Sequence, residues 1–229
     1  MDYEDFIREL QGELTVLKDL GDYESVRDRL SVRLLNTELQ YDKLDSLFWR
    51  PYLDLSVTFA VVLRETEQYR GIVRVTEKLA QEWGVGFEIM LQDALENEKR
   101  DGSFKMEDMS ILLNRMSEEA KIPDEMMVDI KDGAGWMYTI YDRSMTNGSA
   151  AMLMTDLLDD YSKQLNEDMI ILPSSINELI CLPYDRDRDI SYLKSVVREV
   201  NDNVVHHDDI LSYSVYRYSR DDNRVDIIA

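Results

Sequence analysis

Three polar clusters in this chain carry residue types that could do chemistry. Ser174 and Ser175 lie between two apolar runs, Met169–Leu172 and Leu179–Leu182, where a hydroxyl could act as a nucleophile. A serine nucleophile needs a base, normally a histidine oriented by a carboxylate, and an oxyanion hole. Neither serine sits in a Gly-x-Ser-x-Gly or Ser-x-x-Lys motif. Together with Ile176 and Asn177 the pair reads more simply as a turn, its side chains bonding nearby backbone.

His206-His207-Asp208-Asp209 contains both histidines of the protein. Adjacent side chains on a regular element do not converge on one ion, and no His-x-x-x-His or cysteine partner accompanies them. The cluster reads as a solvent-facing loop. Asp185-x-Asp187-x-Asp189 imitates the start of a calcium loop, which requires glycine at its sixth position and glutamate at its twelfth. Those positions hold Ile190 and Val196, so the aspartates read as acids at a helix N-terminus, where the dipole favours them. No catalytic residue, metal site or cofactor is assigned. The candidate binding surface is the turn between the two short strands: Ser174, Ser175, Asn177 and Glu178.

The elements that position these residues are legible from periodicity. Trp136–Tyr141 is an apolar, strand-like run, and Asp142–Ser149 is a polar loop containing Asn147-Gly148. Ala150–Asn166 has helical spacing through Met154, Leu157, Leu158, Tyr161 and Leu165, with Ser149 placed to cap it. Two strands ending at Pro173 and Pro183 follow, then a helix over Ile190–Asn201 and a strand over Tyr213–Tyr218. Arg224–Ile228 is placed to pair back across Asp221-Asp222-Asn223. This half has the order β-α-β-β-α-β, as in ferredoxin-like folds.

In the first half, Asp2–Leu20 has helical spacing; Tyr23–Thr37 fits a helix through Val26, Leu30 and Leu34 or a strand through Leu30, Val32 and Leu34, and its second half leans to a strand. Asp42–Arg50 reads as a connection. Leu53, Leu55, Val57, Phe59, Val61 and Leu63 alternate strictly and, with Tyr69–Val75, predict an antiparallel hairpin. Helices follow over Thr76–Trp83, Phe87–Glu98 and Met106–Ala120, the first capped by Thr76 and stopped by Gly84. Lys121–Gly135, with Pro123, Gly133 and Gly135, reads as a linker. The expected class is α+β. Residues 1–120 form a helical and β-hairpin subdomain and 133–229 the β-α-β-β-α-β subdomain, unless both belong to one continuous domain.

At 229 residues and 44% apolar content, the chain suffices for one large or two small folded domains. A net charge of −21 speaks against direct binding to nucleic acid or to an anionic membrane. No apolar run approaches the ~20 residues needed to cross a bilayer, and the acidic start is unlike a secretory signal. The cytoplasm is the expected compartment. Cys181, the single cysteine, lies in an apolar run and reads as a small buried hydrophobe.

The block Ile170-Ile-Leu-Pro-Ser-Ser-Ile-Asn-Glu-Leu-Ile-Cys-Leu-Pro183 resembles a domain-of-unknown-function family from anaerobic gut bacteria. In that family a strand ending in Leu-Pro-Ser-Ser leads through a glutamate to a second strand ending in Leu-Pro. Arg27-Asp-Arg-Leu30, Pro51-Tyr-Leu-Asp-Leu55, Trp83-Gly-Val85, Arg198-Glu-Val-Asn201 and Val215-Tyr-Arg-Tyr218 match at compatible places. The resemblance implies an intact bacterial cytoplasmic domain and supplies no catalytic residues.

Three functional readings follow. The first is a non-catalytic acidic module acting through contacts with a protein partner. The second is an acidic mimic of nucleic acid that blocks a basic protein. The third is a hydrolase-like enzyme using carboxylates and Ser174 or Ser175.

Overall fold

A computed structural model describes residues 18, 20–65, 70–101, 104–120, 137–173 and 175–229. The helix expected over Asp2–Leu20 falls almost wholly outside these residues, and the linker expected over Lys121–Gly135 and Ser174 fall outside them. The chain divides into two compact units, Met1–Ser103 with Arg143–Thr146, and Phe104–Asp142 with Asn147–Ala229. Both combine helices with antiparallel sheet, so the class is α+β.

The first unit is built on β3 (Leu55–Glu65), which holds the alternating run from Leu55 onward; Leu53, where the expected strand began, lies in the preceding turn with φ 56°. It pairs along one edge with β1 (Leu30–Asn36). Its other edge is shared by β2 (Trp49–Tyr52) and β4 (Arg70–Arg74). Asp42–Arg50 is therefore more than a connection: it contains most of a helical turn, Tyr41–Leu44, and the start of β2. Pro51 is tolerated in that strand because, among the described residues, β2 pairs only with β3, leaving one side of its backbone without a ladder. Helix α1 (Glu77–Trp83) begins where Thr76 Oγ1 accepts the Leu79 N–H at 3.2 Å. It ends at Gly84, whose φ of 66° is the left-handed conformation glycine adopts without strain.

Helix α2 (Phe87–Asp101) is held to the start of β1 by side chains that periodicity alone leaves unremarked. Buried Asp93 accepts from Tyr23 Oη at 2.7 Å and from Arg27 at 2.8 Å. Asn97 donates to the Arg27 and Leu30 carbonyls, and Ser31 donates to Glu98 at 2.6 Å. Desolvation is thus offset by hydrogen bonding at each buried polar group.

The second unit holds a six-stranded antiparallel sheet. Its strands are β5 (Lys105–Asp108), β6 (Tyr138–Tyr141), β7 (Met169–Leu172), β8 (Glu178–Pro183), β9 (Tyr216–Ser219) and β10 (Arg224–Ile227). Their spatial order is β10-β9-β7-β8-β6-β5. The β-α-β-β-α-β element order is present, yet β9 lies beside β7 and not beside β6 as a ferredoxin-like sheet would have it. The free edge of β6 is taken by β5. Met106 therefore begins no helix; it pairs with Ile140, and α3 (Met109–Ala120) starts after Asp108, whose carboxylate accepts the Ser110 N–H at 2.8 Å.

A second correction concerns Ser149. It caps no helix. Gly148–Leu153 is a buried 3₁₀ turn, and α4 (Thr155–Leu165) starts only after Met154. The Gly148 and Ser149 N–H groups are spent on the Asn177 and Ile176 carbonyls, at 2.8 and 3.2 Å. Those bonds tie the segment to the neighbouring turn.

All four residues of β7 are buried, as befits an inner strand covered on both faces. Ile170 and Leu172 meet Leu182, Val215 and the Leu193 and Val197 side chains of α5 (Ile190–Asn203). Asp189 caps α5 by accepting the Tyr192 N–H at 3.0 Å, whereas Asp185 and Asp187 lie in the turn before the helix.

Candidate functional site

The strand order of the second unit brings together the starts and ends of three strands. Asp168 immediately precedes β7, Tyr184 follows β8, and Arg217 lies in β9. Met169 is paired with both Pro183 and Tyr218, so these neighbours are fixed by register. They line a cleft of about 1030 Å³ together with Arg186, Arg188, Arg220, Asp159, Glu167, Asp185 and Asp221.

Arg217 is the organised centre of this cleft. Its Nε and Nη2 both donate to Asp168 Oδ2, the former at 3.0 Å. Its guanidinium carbon lies 4.1 Å from the centre of the Tyr184 ring. The Tyr184 N–H donates to the Asp168 carbonyl at 2.8 Å, so the ring and the carboxylate are positioned by the same residue. The Arg220 N–H donates to Asp168 Oδ1 at 3.0 Å. Burial pushes the Asp168 carboxyl up, but the Arg220 N–H and the Arg217 guanidinium outweigh it and hold it below its ordinary value. The bond to Asp168 raises Arg217 in turn. A planar cation is thereby locked between an anion and an aromatic face.

Asp185 and Asp187 form the turn that leads into α5, the Asp187 N–H donating to Asp185 Oδ1 at 2.9 Å. Asp159, on α4, is matched by Lys163 at 2.6 Å. The guanidiniums of Arg186 and Arg220 make no ion pair with any described carboxylate.

The expected binding turn is placed elsewhere in this unit. Ser175 is buried and its Oγ accepts the Asn177 N–H at 3.1 Å. The Ser175 N–H donates to the Glu178 carbonyl, and Glu178 opens β8. The Ile176 N–H reaches the Asp209 carbonyl at 2.9 Å, so the serine turn and the histidine loop, remote in sequence, are adjacent. Neither histidine hydrogen-bonds Ser175; His206 Nδ1 instead accepts the Asp208 N–H at 3.3 Å. No group of three or more metal-ligating side chains converges among the described residues. Cys181 is fully buried and its thiol is pushed far up by desolvation.

Sequence reasoning noticed the charged turn after Pro183 but left out Asp168, Arg217 and Arg220. The usable signal was Asp-Arg-Asp-Arg after one strand and arginines in and just after another. Only the sheet order shows that they share a cleft.

The fold and cleft define an α+β protein with a charged recess at one end of an antiparallel sheet. The chain belongs to a family of unknown function (DUF5688), whose model matches residues 3–220. No curated protein and no solved structure matches it. No described helix is long and apolar enough to cross a membrane.

Proposed function

We propose that this protein is a non-catalytic acidic module of the bacterial cytoplasm that works through protein contacts, with the charged cleft as its contact face. The observation that carries the reading is Arg217, immobilised by Asp168 and Tyr184 in a recess shared with three further arginines. Arginine and tyrosine supply a disproportionate share of binding energy at protein interfaces. A side chain already held in place loses little further entropy when a partner docks. Tyr192 stands exposed on the first turn of α5, shortly after Arg188, and adds aromatic surface.

The test is capture of partners from native lysate at about 0.1 M and about 0.5 M salt, a range over which exposed charges become strongly screened. The double variant Arg186→Glu/Arg220→Glu should lose the partner that wild type retains. Lys78→Glu, a charge reversal on the exposed face of the first unit, should keep it. Equal capture by the cleft variant and wild type would remove the cleft as the contact face.

The charge of −21 supports a second reading, a mimic that occupies the nucleic-acid groove of a basic protein. A mimic works through carboxylates. It would capture a basic nucleic-acid-binding protein at low salt only, and would still do so after reversal of the two arginines.

A further inference from the structure

We infer that the cleft recognises a phosphate monoester on a protein segment whose flanking residues are basic; the inference rests on the protein-contact reading above. Nine charged side chains line the recess, four arginines and five carboxylates. Two of the carboxylates are already matched, Asp168 by Arg217 and Asp159 by Lys163. Arg186 forms no ion pair with a described carboxylate, and Arg220, whose charge helps to keep Asp168 ionised, bonds it through the backbone N–H and not through the guanidinium. Arg217 spends Nε and one Nη2 proton on Asp168, which leaves its Nη1 edge for a ligand.

Three guanidinium groups thus offer forked donors in one recess. A carboxylate has two oxygens and one negative charge. A phosphate monoester has three terminal oxygens and a charge of about −1.5 to −2 at neutral pH, and so suits a recess lined by several arginines better than a carboxylate does. Arginine clusters are the usual means by which phosphorylated segments are recognised.

The remaining carboxylates set the surroundings of that phosphate. Glu167, Asp185 and Asp221 line the same cleft, and none of them forms an ion pair with a described cation. They would repel the successive phosphates of a nucleic acid. They would attract lysine or arginine side chains on either side of a single phosphate. A protein of charge −21 also repels anions at long range, and basic flanking residues offset that repulsion.

The test is fluorescence anisotropy with labelled synthetic peptides on the full chain. One carries phosphoserine between lysine pairs, a second has serine there, and a third carries phosphoserine between alanines. The lysine-flanked phosphopeptide should bind at least about tenfold more tightly than either of the others, and Arg186→Ala/Arg220→Ala should abolish that preference. Lys78→Ala should leave it intact. Both arginines belong to the cleft surface and not to the core, and an unchanged melting temperature would confirm that the variant folds. Equal affinity for the phosphorylated and unphosphorylated lysine peptides would overturn the inference. Equal affinity for the two phosphopeptides, or displacement by inorganic phosphate at the peptide's own concentration range, would overturn the basic-flank requirement. If neither phosphopeptide binds while reversal of Arg186 and Arg220 still abolishes partner capture, the phosphate assignment fails and the protein-contact reading stands.

Discussion

Replacing Asp168 with asparagine tests the organisation of the cleft most directly. The Asp168 side chain is 18% exposed and that of Arg217 35% exposed. The carboxylate accepts two bonds from Arg217 and one from the Arg220 N–H. Removing one member of a fully buried ion pair costs about 3–5 kcal/mol. Here Arg217 can recover part of its hydration, so we expect about 2 kcal/mol. That corresponds to roughly thirtyfold faster hydrogen exchange at the β7 and β9 amides if they open locally. The pH dependence has a definite sign. The folded carboxyl lies below its ordinary value of 3.8, so its stabilisation is complete well above pH 3.8 and is lost as pH falls through the lower folded value. Urea midpoints of wild type and Asp168→Asn should therefore differ equally at pH 7 and pH 5 and converge below the folded value. Unchanged exchange at β7 and β9, or a stability difference that persists in strong acid, would refute the assignment of Asp168 as the ionised anchor of Arg217.

Three further outcomes are expected. Gly148→Ala would drive a methyl group into the Asn177 carbonyl oxygen and to 2.9 Å from that of Ile140, and backbone cannot move aside cheaply. A loss of about 3 kcal/mol in thermal or urea unfolding is expected, the upper range for overpacking. Asp93→Ala should cost the first unit about 2 kcal/mol, by leaving the Tyr23 hydroxyl and Arg27 without their shared acceptor. Burial, followed by the bond to Asp93, raises the Tyr23 phenol above 10.0, so its contribution is present below pH 10.0 and lost as pH rises through the folded value. Ultraviolet titration should show Tyr23 ionising at lower pH in the variant. Cys181 should resist thiol reagents in the folded protein and react at once in denaturant, because it is fully buried and holds its proton.

Local patterns alone determined a good deal of this protein. Strict alternation over Leu53–Leu63 identified β3, and Thr76 and Gly84 bounded α1, because period, cap and stop are properties of neighbouring residues. The two short strands ending at Pro173 and Pro183 were legible for the same reason. Turn chemistry at Ser175 was legible too, its hydroxyl bonding backbone two residues on. Other features depended on partners distant in sequence. Lys105–Asp108 became a strand because β6 offered an open edge, and Ser149 failed as a cap because it lies inside the 3₁₀ turn Gly148–Leu153, several residues before α4 begins at Thr155. The cleft is the extreme case. Asp168, Tyr184 and Arg217 share no local pattern, and they meet only because β7 is flanked by β8 and β9 in one register. Periodicity reports which face of an element is buried; which elements become neighbours is decided by tertiary pairing, and that pairing made the site.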